Sequence, residues 1–193
     1  MNGLLDSAIE ADSKNILLYL DPVHQVYNSG NGYSWQKRGK QGTKLIRTTS
    51  HNKRLNIIGA LNPISLKITS IISESNCDKY LMISFFYEIK KEYADASQIN
   101  IILDNASYNK AIILIETAKE LGINLIYLPS YSPNLNLIER VWKFFKKKVM
   151  QSQFYPIFQL FFEAVITFFS NQENYRVELE TLLTTKFEVM EAS

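Results

Sequence analysis

The sequence predicts an α/β fold in which a mixed β-sheet is flanked by helices. Three short, almost continuous apolar runs have the pattern of buried strands, and the last two of them enclose a helical segment. Between the first run and this unit lie Ile- and Thr-rich segments separated by turn residues, as in an antiparallel meander. A strand–helix–strand unit beside antiparallel strands forms a mixed sheet covered by helices. The three buried runs are residues 16–20, 99–103 and 124–128.

The strands of the predicted meander follow from their residue types and from the turns between them. Turn-type breaks occur at residues 52–53 and 62–63. A Gly/Asn-rich loop precedes the meander at residues 29–42, and in it Tyr33 and Trp35 alternate with polar residues as in a short strand. The meander strands are predicted at residues 44–50, 55–61 and 66–72.

The helices are predicted from apolar residues that recur at every third or fourth position. Gly122 suits the position just after a helix end, and Pro129 stops the third apolar run. Residues 1–15 are interpreted as a linker or the end of a helix. The predicted helices span residues 78–93, 110–121, 136–150 and 156–170, and a last short helix carries Leu179, Leu182, Leu183 and Phe187.

Composition excludes several classes of protein. A chain of 193 residues with 46% apolar and 21% charged residues predicts one globular domain with a sizeable core. Cys77 is the only cysteine, which excludes a disulfide framework and a cysteine-based zinc site and fits a reducing, intracellular compartment. The predicted location is cytoplasmic, in association with the nucleoid. The N-terminal residues carry acids where a secretory signal needs bases, and no apolar run approaches the ~18 residues of a membrane helix.

Positive charge is concentrated in two segments, although the formal net charge is only +2. No acid occurs between Asp21 and Glu74, and the two segments together hold 13 of the 21 Lys and Arg residues. Such segregation indicates a polyanionic partner such as nucleic acid, and the alternative is a solvated charged face. The bases are Lys37, Arg38, Lys40, Lys44, Arg47, Lys53, Arg54 and Lys67 in the first segment, and Arg140, Lys143, Lys146, Lys147 and Lys148 in the second.

Three isolated acids stand where apolar elements begin or end. Asp21 and Asp104 are expected at the carboxyl ends of buried strands, and Glu139 in the first turn of a helix, with 34 residues between Asp104 and Glu139. Three carboxylates are enough to hold two Mg²⁺ ions about 3.5–4 Å apart, the arrangement that serves phosphodiester cleavage. Each acid also has a purely structural alternative, because Asp favours turns and Glu complements a helix N-terminus.

These acids lie in motifs that resemble the catalytic domain of mariner-like superfamily transposases, most of all the bacterial insertion-sequence branch. The resemblance rests on Asp21 followed by His24, on Asp104-Asn105-Ala106, and on the segment LPSYSPNLNLIERVW at residues 128–142. It implies a ribonuclease H-like, mixed five-stranded sheet with C-terminal helices and a catalytic, metal-binding triad of Asp21, Asp104 and Glu139. It also implies two Mg²⁺ ions, for which Mn²⁺ can substitute, DNA cleavage at transposon ends and strand transfer.

The chain departs from the family pattern at two positions and in length. Pro22 follows Asp21 where the family often has an acidic or small residue, and Leu137 precedes Ile138-Glu139 where it often has Pro; neither change removes a ligand. The family also carries N-terminal helix-turn-helix modules that bind transposon ends. These modules are expected to be absent here, so that residues 16–193 form the catalytic domain alone. A homodimer is implied by the resemblance, because transposition holds two DNA ends together.

Further residues are candidates for supporting roles, each with a structural alternative. Asn105 could orient a ligand or a metal-bound water, or form a turn. His24 could contact DNA phosphate, lie near the metals, or do neither. Asn136 could hold Glu139 in place or cap the helix. The residues expected to contact the DNA backbone are Trp35, Lys37, Arg38 and Lys40 in the loop, and Lys143, Lys146 and Lys147 as a positive stripe along the helix.

Other functions fit the same features. One is a catalytically inactive or truncated transposase remnant that binds DNA or a full-length partner. Another is a structure-selective or RNA–DNA-hybrid nuclease, which suits the segment at residues 128–142 less well. Glycoside hydrolysis also uses two carboxylates, but the segregated positive charge does not suit neutral sugars.

Overall fold

The computed structural model of the chain describes residues 14–28, 53–129, 135–151 and 153–183. Five strands lie in these ranges: β1 (Asn15–Val26), β2 (Arg54–Leu61), β3 (Ile68–Ser73), β4 (Gln98–Leu103) and β5 (Ile123–Tyr127). They form one sheet in the order β3-β2-β1-β4-β5. β1, β2 and β3 pair antiparallel, whereas β4 runs parallel to both β1 and β5. The predicted mixed five-stranded sheet is therefore confirmed.

β1 is longer than the sequence predicted. The apolar run ends at Leu20, but the strand continues through Asp21 and Pro22, because β2 stays paired with it as far as Val26. The prediction that Asp21 ends a strand is therefore wrong. β4 pairs with β1 only as far as Tyr19, so the second half of β1 borders an open side of the sheet, where proline is tolerated.

The other predicted strands are confirmed where they fall within the described residues. β2 and β3 lie within one or two residues of the predicted segments 55–61 and 66–72, and Asn62 forms the turn between them by accepting hydrogen bonds from the backbone N–H groups of Ile64 and Ser65. The predicted strand at residues 44–50 and the short strand around Tyr33 and Trp35 lie outside the described residues.

Helices follow in the predicted order: α1 (Lys79–Glu92), α2 (Ile112–Glu120), α3 (Ile138–Phe145), α4 (Phe158–Ser170) and α5 (Arg176–Leu182). Asp78 caps α1 by accepting from two backbone N–H groups of its first turn. Gly122 has φ +69°, as the predicted glycine after a helix end requires. α3 continues into a π-helical turn, Lys146–Met150. No helix in the described parts of the chain is long and apolar enough to cross a bilayer.

The two faces of the sheet carry separate hydrophobic cores, because side chains alternate along each strand. On one face, Leu18 and Leu20 of β1 pack with aliphatic residues of β4 and with α1 and α2. On the other, Leu17 and Tyr19 pack with α3, α4 and α5 in a core rich in Phe. We call this second side the α3 face. Helix α3 lies across it, so the first turn of α3 is brought over the middle of β1.

Candidate active site

The pairing of β1 with β4 places Asp21 and Asp104 at corresponding positions of neighbouring chain segments. Tyr19 stands opposite Ile102 in the parallel register. Asp21 and Asp104 each lie two residues further along their chains, and a step of two returns a side chain to the same face. Both acids therefore project toward the α3 face, at the point where β4 ends.

Glu139 lies in the first turn of α3, near enough to Asp21 for its charge to raise the pKa of that carboxyl. The helix is fixed there by Asn136, which is buried and donates a hydrogen bond of 3.0 Å from its Nδ2 to the backbone oxygen of Leu20. The backbone oxygen of Asn136 in turn accepts from the N–H of Glu139 at 3.1 Å. The start of α3 is thus attached to the residue immediately before Asp21.

A second contact joins α3 to Asp21. The indole Nε1 of Trp142 donates a hydrogen bond of 3.0 Å to Oδ2 of Asp21. Gly59 stands directly opposite Asp21 in the pairing of β1 with β2. A Cβ atom on Gly59 would lie 2.5 Å from Cη2 of Trp142, so only glycine leaves room for the indole. Trp142 therefore packs against β2 and also holds Asp21.

Asp104 is held by its own loop. Its Oδ1 accepts from the backbone N–H of Ala106 at 3.1 Å and from Nδ2 of Asn109 at 2.8 Å. Asn109 is fully buried, and its backbone oxygen accepts a bond of 2.7 Å from the hydroxyl of Tyr127 on β5. Within the described residues Oδ2 of Asp104 receives no hydrogen bond, so this oxygen is the one left for a ligand.

Both of the other acids contribute to the electrostatics of Asp21. Burial raises the pKa of Asp21 to about 7, and the negative charges of Asp104 and Glu139 add to this. The hydrogen bond from Trp142 and the charge of Lys146 act in the opposite direction. A half-buried carboxylate facing two others is stabilised by a bound cation.

Cys77 and Tyr108 are neutral groups that lie near Asp21 and Asp104. Burial, with smaller contributions from Asp78, Asp21 and Asp104, raises the pKa of the Cys77 thiol to about 11. Burial likewise raises the pKa of Tyr108, and Asp21 and Asp104 contribute to that rise. Both groups are therefore uncharged at neutral pH and add no negative charge to the site.

The donor set fits hard divalent cations, since it consists of carboxylate oxygens. In the described ranges no three His, Cys, Asp or Glu side chains are close enough together to share a single metal ion. A two-ion site does not require this, because an Asp shared between the ions leaves each ion with two protein carboxylates. The charges of Asp104 and Glu139 both act on Asp21, so Asp21 lies near both of the other acids.

The predicted supporting residues make other contacts than expected. Asn105 hydrogen-bonds through Nδ2 to the backbone oxygen of Leu128, so it ties the end of β4 to the end of β5. Asn136 neither caps α3 with its side chain nor contacts the Glu139 carboxylate. His24 lies three residues after Asp21 in the same strand, hence on the opposite face, and hydrogen-bonds through Nδ1 to Oδ1 of Asn56.

The helical lysines separate into two groups. Lys143, Lys146 and Lys147 are exposed along α3 and the π-helical turn, and Lys146 is the one whose charge reaches Asp21. Lys148 instead forms an ion pair of 3.2 Å with Glu178 and lies over the ring of Phe144. The other predicted DNA-contact residues, Trp35, Lys37, Arg38 and Lys40, lie outside the described residues.

Gly59 and Asn109 are the two residues that sequence reasoning missed. Gly59 interrupts the apolar run of β2, and an isolated glycine in a strand often marks the close approach of another group. Asn109 follows Asp104 by five residues in a loop, where a buried position cannot be recognised from residue type.

Comparison with known proteins agrees with this geometry. The profile of the DDE superfamily endonuclease family matches residues 16–160. The chain belongs to that family. A curated relative, the insertion element IS630 uncharacterized 39 kDa protein of Shigella sonnei, is 31% identical over 135 residues, which cover 69% of this chain. The match spans 38% of the relative's length.

Solved structures share the fold of this DDE-family chain. The crystal structure of the Mos1 mariner paired end complex with Mn superposes with a TM-score of 0.69 and 12% identity, covering 95% of this chain and 57% of that one. The crystal structure of the catalytic domain of Mos1 mariner transposase gives 0.63 and 10% identity, covering 94% and 83%. Identities this low show the fold alone, and the predicted ribonuclease H-like fold is confirmed.

Proposed function

We propose that this chain is the catalytic domain of a transposase, which cleaves DNA strands at transposon ends and joins them to target DNA. The observation that carries the proposal is the environment of Asp21, whose pKa is raised by burial and by the charges of Asp104 and Glu139. Membership of the DDE superfamily endonuclease family supports nuclease chemistry, and the IS630 and Mos1 relatives support transposition.

The residues proposed to hold two Mg²⁺ ions, or Mn²⁺ in their place, are Asp21, Asp104 and Glu139. Bound there, the ions would activate a nucleophile and stabilise the leaving oxygen of an in-line displacement. Asp21 would be shared between them. Asp104 would contribute Oδ2, because its Oδ1 already accepts two hydrogen bonds. Glu139 has the longer side chain and approaches from the helix.

The basic residues next to the acids are proposed to guide the DNA backbone. Lys143 and Lys146 follow Glu139 by four and seven residues, so all three lie on one side of the helix. If Lys143, Lys146 and Lys147 contact phosphates, replacing all three with Ala makes the salt dependence of DNA affinity shallower by about three counterions. An unchanged slope would exclude this stripe as a phosphate contact.

The catalytic proposal is tested by Asp104→Asn. This variant should lose Mn²⁺-dependent nicking of supercoiled plasmid and bind Mn²⁺ more weakly by calorimetry, while its circular dichroism and DNA affinity stay close to those of the wild type. Asp95→Asn is the matched control, because Asp95 lies in an exposed turn after α1. Retained nicking in Asp104→Asn would refute the triad.

The alternative proposal is a catalytically inactive remnant that binds DNA or a full-length partner. Metal binding separates the two proposals, because a functional triad binds Mn²⁺ and an inactive remnant does not. Pairing of two copies on two DNA ends is likewise a proposal, tested by light scattering with and without DNA.

A further inference from the structure

Trp142 is placed by packing that does not depend on its hydrogen bond to Asp21. The side chain is 4% exposed and meets Phe169 edge-on, with ring centroids 6.2 Å apart. On its other side it lies against Gly59, where a Cβ atom would also come within 2.9 Å of Cζ2. The indole N–H therefore has a fixed position, and the carboxylate of Asp21 aligns with it.

The same residue belongs to the helix that carries Glu139. Trp142 follows Glu139 by three residues, which places both on one side of α3, one turn apart. The bond from Nε1 to Oδ2 of Asp21 thus connects the strand of the first acid with the helix of the third across 121 positions of sequence. Among the described contacts of Asp21, this is the only side-chain hydrogen bond from α3.

We propose that Trp142 is a positioning residue that sets the separation between the carboxylates of Asp21 and Glu139. Gly59 is required for this arrangement, because its lack of a side chain leaves the space that the indole of Trp142 occupies. The inference rests on the proposed function, since it assigns Trp142 a role toward the cation that Asp21 and Glu139 would share. Partners that orient metal ligands in this way typically change metal affinity by about 10–100-fold.

The direct test is Trp142→Phe, which keeps an aromatic ring and removes the N–H. We expect the affinity for one of two Mn²⁺ ions, measured by calorimetry and by electron paramagnetic resonance of free Mn²⁺, to fall about 10-fold or more. Phe169→Leu is the matched control, because it loosens the packing around the indole but leaves the N–H in place. Wild-type Mn²⁺ affinity in folded Trp142→Phe, or an equal loss in Phe169→Leu, would overturn the proposal.

A double-mutant cycle tests the role of Gly59 without removing the indole. Gly59→Ala should weaken Mn²⁺ binding in the wild-type background, because the new methyl group displaces the indole from Asp21. In the Trp142→Phe background there is no N–H to displace and only the contact of the methyl group with Cδ1 of Ile138 remains, so Gly59→Ala should have a smaller further effect. Additive losses would contradict the coupling.

Asp21→Asn separates failure of this inference from failure of the proposed function. If Asp21→Asn binds Mn²⁺ as the wild type does, the carboxylates are not a metal site and the proposed function itself fails. If Asp21→Asn loses Mn²⁺ while Trp142→Phe retains it, only the role given to Trp142 is wrong.

Discussion

Asp21 and Asp104 stand level in neighbouring strands, yet the protein holds them differently. Asp104 is exposed, and both donors to its Oδ1 come from within the next five residues, Ala106 and Asn109. Asp21 is half-buried in the middle of a strand, and its donor is Trp142, 121 positions away. The loop at Asp104 can take its shape locally, whereas the setting of Asp21 exists only once α3 has packed on the sheet.

This difference suits the two acids to different proposed roles in metal binding. A carboxylate held by its own loop keeps its geometry when distant parts of the fold shift, which suits a ligand to one ion. The carboxylate of Asp21 moves with α3, the helix that also carries Glu139, which suits a ligand shared between the two ions. Substitutions that change the contacts of Asp104 and of Asp21 separately test whether the two acids are held in these different ways.

The largest effect is expected at the loop of Asp104. Asn109→Asp replaces a fully buried amide donor with a second carboxylate 2.8 Å from Asp104. Because a buried carboxylate facing another is strongly unfavourable, the free energy of unfolding at pH 8 should fall by about 3 kcal/mol. The loss should shrink at pH 5, where the pair can share a proton. Urea unfolding at both pH values measures this.

Asn174→Asp is the control for that variant, because Asn174 is exposed and the same substitution there buries no charge. Equal stability of Asn109→Asp and the wild type at pH 8 would mean that the amide of Asn109 is not what holds Asp104.

A smaller effect is expected from the titration of Asp21. Its pKa is about 7 in the folded protein against an ordinary value of 3.8, so between these values the folded state binds more protons than the unfolded state. Its contribution to stability is fully present below about pH 4 and is lost as pH rises through 7. Allowing for solvent screening of a half-buried group, the loss should be about 1.5 kcal/mol.

Thermal unfolding from pH 4.5 to 8.5 measures this contribution as the difference between the wild type and Asp21→Asn, which lacks the titrating group. The stability of the wild type should fall relative to that of the variant as pH rises. Saturating Mn²⁺ should remove the difference in slope, because a bound cation favours the ionised form. If stability changed with pH in the same way for the wild type and Asp21→Asn without metal, the raised pKa of Asp21 would be contradicted.

The contrast between the two acids also explains how far the sequence could predict the site. The apolar runs before Asp21 and Asp104 predicted their strands, and period-two alternation then predicts a common face. The extension of β1 was missed because Pro22 and the polar residues after it have no strand pattern, and only pairing with β2 makes them a strand. Had it been foreseen, alternation would also have placed His24 on the opposite face.

Contacts that depend on tertiary packing are harder to predict from the sequence. The fit of Trp142 against Gly59 requires three elements to meet, and neither residue type identifies the other. Asn109 lies only five residues from Asp104, but nothing in the sequence distinguishes a buried asparagine from an exposed one. The stabilising partners of both acids therefore emerge from the tertiary structure, while the acids themselves were visible in the sequence.

The smallest expected effect concerns the lysine beside Asp21. The charge of Lys146 lowers the pKa of Asp21, whereas Lys148 is paired with Glu178. Lys146→Ala should therefore raise the pKa of Asp21 by a few tenths of a unit, and Lys148→Ala should leave it unchanged. Carboxyl ¹³C NMR titration, with Asp21→Asn to assign the resonance, measures the shift. It should shrink in 0.5 M salt, because Lys146 is exposed and its charge is screened. Equal shifts in the two lysine variants would mean that Asp21 responds to the net charge of the helix and not to a lysine placed near it.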